Sequence, residues 1–156
     1  MEIINKEKDL ISLIIIGDGD EKDHLKNKYS KLINRQLVHF VGEIYDELKL
    51  SQYLKNAHLF VSPGNIGLAT MHSLIYGTPI CTHDDMNYQM PEAECLNQTN
   101  SMKFKRGDLR SLTKNIIEGI KLKEIPETKQ ECRKAILNTY TPSNQLAVIK
   151  KFLDSI

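Results

Sequence analysis

Five short apolar runs, separated by longer amphipathic stretches, constrain this chain more than any other feature. They span residues 11–16, 37–41, 58–62, 79–82 and, more weakly, 102–104. The first four are continuous or nearly so, which suits strands covered on both faces. The stretches between them carry helical spacing. Leu25, Tyr29 and Leu32 fall at i, i+4, i+7, and Leu50, Tyr53, Leu54 and Ala57 at i, i+3, i+4, i+7. Leu68, Met71 and Ile75 fall at i, i+3, i+7, as do Leu109, Leu112 and Ile116, with Asp108 placed to cap the last helix. Strand alternating with helix implies parallel pairing in a three-layer α/β sandwich, with a mostly parallel sheet of about five strands.

The last third reads as helical. Pro126 opens one helix, running to about Tyr140, and Thr141-Pro142 reads as an N-cap with proline at the first helical position. Leu146, Ile149, Leu153 and Ile156 give that second helix an apolar stripe, and Met1 to Lys8 reads as a frayed helix end before a charged turn. No repeat or interdomain linker is visible, so residues 1–156 read as a single domain.

Charge and cysteine usage remove several function classes. Twenty-one Lys plus Arg against 20 Asp plus Glu leave a net charge of +1, which gives no argument for nucleic acid or an anionic membrane. No apolar run approaches the ~18 residues of a membrane span, and no leader-like apolar segment opens the sequence. Cys81, Cys95 and Cys132 are odd in number and form no Cys-x-x-Cys pair. A disulfide framework and a structural zinc site are therefore not expected, and a reducing cytoplasm is the default compartment.

Two glycine-bearing segments follow the apolar runs. The first is Ile16-Gly17-Asp18-Gly19-Asp20. Its glycines permit a tight turn and let a ligand approach the backbone. The dinucleotide fingerprint needs a third glycine where this chain has Lys22, so a nicotinamide or flavin site is disfavoured; a plain strand-to-helix turn is the competing reading. The second segment is Val61-Ser62-Pro63-Gly64-Asn65-Ile66-Gly67-Leu68, where a buried run ends in a Gly/Pro loop before a helix starting at about Gly67. Exposed amides at such a helix start form an anion site outside the carboxyl end of a strand, and a diphosphate is the natural guest. An ordinary connecting loop is the alternative.

Other polar groups carry weaker signals. His72, five residues into that helix, is either a ligand contact or a satisfied rim histidine. His83-Asp84-Asp85 reads as a solvated loop, since three adjacent residues rarely converge on one ion; no metal is expected. Glu92 and Glu94, after Pro91, suit a helix start. Lys22, Lys26, Lys28, Lys31 and Arg35, interrupted by Glu21 and Asp23, read as a solvated helix face, with a partner or peripheral membrane face as the alternative.

Taken in order, these segments resemble the donor-binding, C-terminal half of GT-B-fold glycosyltransferases of group 1 (family four, nucleotide-sugar dependent and retaining). Leu13-Ile14-Ile15-Ile16-Gly17-Asp18-Gly19 is similar to the family's apolar strand and Gly-Asp-Gly turn. Val38-His39-Phe40-Val41-Gly42 and Ala57-His58-Leu59-Phe60-Val61-Ser62-Pro63 resemble its next two strands. Gly67-Leu68, Tyr76-Gly77-Thr78-Pro79-Ile80, Pro91-Glu92 and Gly107-Asp108-Leu109 follow in the expected order.

The resemblance implies a Rossmann-like fold and specific site residues. Amides near Ile66, Gly67 and Leu68 would hold a donor diphosphate, Gly17 and Gly19 would line the cleft, and the chain after Gly42, including Glu43, would lie near the nucleobase. The family's two glutamates, eight positions apart, are replaced here by Gly64 and His72. His72 could still meet ribose hydroxyls, whereas Gly64, beside Asn65, offers the sugar only backbone. The family's half normally opens with a further strand and helix, so the resemblance also implies truncation at the N-terminus, with the acceptor-binding domain absent.

The leading expectation is thus the donor-nucleotide half of a hexosyltransferase. It would move a sugar from a nucleoside diphosphate sugar to a glycan or lipid-linked acceptor, with no cofactor, and would be inactive without an acceptor-binding domain or subunit. The alternative is a non-catalytic nucleotide-binding or scaffold module of the same lineage; an epimerase of this fold is a third reading. An unpaired sheet edge would make homodimerisation or strand swapping a hazard.

Overall fold

The computed structural model describes residues 11–156, so the expectation for Met1 to Lys8 lies outside the described residues. The described residues divide into two compact units, with the boundary between Leu50 and Ser51. Among the described residues, five strands alternate with helices and all pair in parallel, which is the Rossmann-like α/β architecture expected from the pattern. They form a two-stranded and a three-stranded ladder, not one continuous five-stranded ladder. Periodicity places strands but says nothing of which strand bonds to which.

In the first unit, β1 (Leu13–Ile16) pairs with β2 (Val38–Gly42). The register slips between Ile15 and Ile16, which face Phe40 and Gly42, so Val41 has no counterpart. Between the strands the expected helix is interrupted: α1 (Lys22–Lys28) and α2 (Ser30–Asn34) meet at Tyr29, whose backbone leaves the helical region at φ −107°, ψ 23°. Tyr29, Ile33, Leu13, Ile15 and Phe40 pack on a small core of Leu32, Leu37 and Val38. Helix α3 (Glu47–Asn56) then carries the chain into the second unit.

In the second unit, β3 (Phe60–Ser62), β4 (Ile80–His83) and β5 (Ser101–Phe104) pair in that order. Helix α4 (Ala69–Ile75) links the first two. After β5 come α5 (Leu109–Gly119), α6 (Pro126–Leu137) and α7 (Pro142–Leu153). The core joins Ile66, Leu74, Ile80, Ala93, Leu96, Cys132 and Ile136. Strand β4 is buried along its whole length, as its continuous apolar run requires.

Local rules set several boundaries. The Asp108 carboxylate accepts the Arg110 and Ser111 amides at 2.9 and 3.0 Å, capping α5. The Thr141 hydroxyl accepts the Asn144 amide at 3.3 Å, and Pro142 opens α7. Helix α6 ends at Leu137, short of Tyr140, and the Thr139 and Tyr140 amides both donate to the Ile136 carbonyl. Pro91 starts a 3-10 turn over Pro91–Cys95, not an α-helix. The apolar stripe of α7 is exposed at Leu146, Ile149 and Leu153. Cys81, Cys95 and Cys132 are buried free thiols. The Thr78 hydroxyl donates to the Leu54 carbonyl, and the Lys123 ammonium donates at 3.0 Å to both the Thr78 hydroxyl and the Gly77 carbonyl.

Candidate functional site

The candidate residues lie at the carboxyl ends of strands in both units. In the first, the Gly17 amide donates to the Gly42 carbonyl at 2.8 Å, joining the turn after β1 to the end of β2. Both glycines have positive φ, +130° and +74°. The Gly-Asp-Gly turn closes on itself: the Asp18 carboxylate accepts the Gly19 amide at 2.9 Å and meets the Lys22 ammonium at 2.5 Å. The hydrogen bond from Lys22, and after it the Gly19 amide, holds the Asp18 carboxyl below its usual range, and the same pairing raises Lys22. Beyond Gly42, the Glu43 carboxylate accepts the Tyr45 hydroxyl at 2.9 Å, which raises that phenol.

In the second unit, the loop after β3 brings together Gly64, Asn65, Ile66, Gly67 and Leu68 ahead of α4. Gly64, Asn65 and Leu68 are exposed, while the Ile66 side chain is buried at 1%. The Ile66 amide is occupied: it donates to Gln89 Oε1 at 2.9 Å. Among the described residues no acceptor meets the Gly67 and Leu68 amides. Residue 67 has room for a side chain, since an added Cβ would reach only Met90 Cγ, at 3.8 Å. His72 is half-buried on α4.

The His83-Asp84-Asp85 segment needs correcting. His83 is the last residue of β4 and only 2% exposed, not part of a solvated loop. Its ring meets Phe104 edge-on with centroids 6.4 Å apart. The Asp84 carboxylate accepts the Arg106 amide at 3.2 Å, and Asp85 caps the following turn and pairs with the Arg106 guanidinium at 3.4 Å. Among the described residues no group of three acidic, histidine or cysteine side chains converges on a metal position.

Gln89 was not legible as a partner of the loop after β3. Its Nε2 donates to Thr82 Oγ1 and the His83 carbonyl, both at 3.0 Å, and lies 3.2 Å from His83 Nδ1. Its only sequence signal is a polar residue two places before Pro91 in a loop after a strand. The Tyr88 ring, also unflagged, carries the Arg106 guanidinium 3.5 Å from its centroid.

The model of the glycosyl transferases group 1 family matches residues 1–138. The chain belongs to this family. A curated relative of this group 1 chain is the alpha-monoglucosyldiacylglycerol synthase of Streptococcus pneumoniae, 33% identical over 81 residues, or 50% of this chain and 18% of the relative. Among solved structures, TarM superposes with a TM-score of 0.77 at 18% identity, covering 98% of this chain and 30% of TarM. A TarM mutant of S. aureus, in complex with fondaparinux, alpha-GlcNAc-glycerol and UDP, gives 0.76 at 18% identity, with the same coverage. HepE of Anabaena, in complex with UDP, gives 0.63 at 18% identity, covering 94% of this chain and 41% of HepE. The chain spans 18% of its curated relative and less than half of each structural neighbour. At that identity the neighbours establish the fold. No helix among the described residues is long and apolar enough to cross a membrane.

Proposed function

We propose that this chain is the donor-nucleotide-binding half of a glycosyltransferase that uses a uridine diphosphate sugar. Its acceptor would be a glycan or lipid-linked molecule held by a separate domain or subunit, in the cytoplasm. One observation carries the reading. The loop after β3 delivers the Gly67 and Leu68 amides, free of protein acceptors, to the start of α4. Such amides stabilise phosphate oxygens, and most of all the charge that builds on a diphosphate as it leaves a sugar. UDP is favoured because TarM and HepE have both been captured with it.

In this reading His72 faces the nucleotide, while Gly64 and Asn65 border the sugar. Amides alone offset the diphosphate charge, so no metal is invoked. The absence of carboxylates at Gly64 and His72 favours a second reading, a nucleotide-binding module without transfer chemistry.

Calorimetric titration of the chain with UDP, UDP-sugars and other nucleoside diphosphates tests the proposal. Saturable UDP binding, weakened about tenfold or more by Gly67→Val, is the expected result. A Cβ at residue 67 makes only an ordinary contact with Met90 Cγ, and thermal unfolding of Gly67→Val checks that the fold is kept. No UDP binding at millimolar concentration, or binding unaffected by Gly67→Val, overturns the site.

A further inference from the structure

We infer that Gln89 is a positioning residue for the donor loop, selecting which backbone amides reach the phosphates. The inference rests on the nucleotide site proposed above. The orientation of its amide is fixed by chemistry on both sides. The Ile66 N–H can only donate, so the atom 2.9 Å away is the oxygen. The His83 carbonyl can only accept, so the atom 3.0 Å away is the nitrogen. One side chain therefore bridges the donor loop to the end of β4.

A second tether runs through Thr82. Gln89 Nε2 donates to Thr82 Oγ1 at 3.0 Å, and that hydroxyl passes its own proton toward the Gly64 carbonyl at 3.5 Å. The loop is thus held at Gly64 and at Ile66, on either side of Asn65. The Ile66 side chain adds an apolar anchor in the core. With Ile66 occupied on both counts, the next two amides, of Gly67 and Leu68, are left without a protein acceptor.

Nδ1 of His83 lies 3.2 Å from Gln89 Nε2, whose two protons face Thr82 Oγ1 and the His83 carbonyl. Flipping the Gln89 amide would set two donors against each other at Ile66. The bridge therefore holds in one arrangement only, which is what an orienting device requires.

The test uses the full chain, with Gln89→Met removing both polar ends at similar length and Gln89→Asn keeping the amide on a shorter stem. UDP affinity is measured by calorimetry, fold retention by thermal unfolding, and the local effect by hydrogen exchange at the Ile66 amide. Gln89→Met is expected to fold, to exchange the Ile66 amide about tenfold faster, and to bind UDP about tenfold more weakly. UDP affinity within twofold of the parent chain, at unchanged Ile66 exchange, overturns the inference. If Gln89→Met does not fold, Gln89→Asn is judged by the same two criteria. If the parent chain binds no UDP, the nucleotide site fails, and Ile66 exchange alone decides whether Gln89 holds the loop.

Discussion

The Gly17 amide and the Gly42 carbonyl meet at 2.8 Å, locking the turn after β1 to the end of β2. Gly42 reaches this arrangement with φ at +74°, where an L side chain crowds its own backbone. Gly42→Ala should cost about 1 kcal/mol, lowering the thermal midpoint by roughly 2–4 °C. Gly64→Ala is the control, because its site is open and its φ is not positive. Equal midpoints for the two variants would refute the strain.

The three thiols make stability fall in alkali. Burial pushes Cys81 up to about 12 and Cys95 and Cys132 up to about 11, from an ordinary 9.0. Above about pH 9 the unfolded chain releases thiol protons that the folded chain keeps. Each thiol then removes up to about 1.4 kcal/mol per pH unit, until the folded thiols ionise as well. Urea unfolding between pH 8 and 10.5 should show this decline, with a shallower slope in Cys81→Ala. Identical slopes would mean that Cys81 is not protected by burial.

Thr70 offers a gain in stability. Its hydroxyl is fully buried on α4 and meets no partner among the described residues. Burying an unpaired hydroxyl costs about 1–3 kcal/mol, and valine has nearly the same shape. Thr70→Val is expected to add about 1 kcal/mol, read by denaturant unfolding. A loss of stability instead would reveal that the hydroxyl is satisfied.

How far the sequence spoke depended on the range of the interaction. Apolar runs, the fifth a weak one, located the five strands of the described residues to within two residues, and Asp108 and Thr141 announced their caps, because those signals are local. His83, expected in a solvated loop, is instead buried through pairing of its strand with β5 and contact with Phe104, partners that local pattern does not reveal. The division into two ladders is a matter of partner choice, which periodicity does not encode. Gln89 stayed hidden because its partner Ile66 lies 23 residues away. The loop after β3 was legible from its glycines; which of its amides are already spent was not.

Thr78 sets a timetable for synthesis. Its hydroxyl partners are Leu54, 24 residues earlier, and Lys123, 45 residues later. At about 5–20 residues per second, the ribosome adds the lysine several seconds after the threonine. Until then the Leu54 carbonyl and the Thr78 hydroxyl can meet, but the ammonium that completes the knot is still unmade. The hydrogen bonding around Thr78 is therefore completed late in the life of the nascent chain.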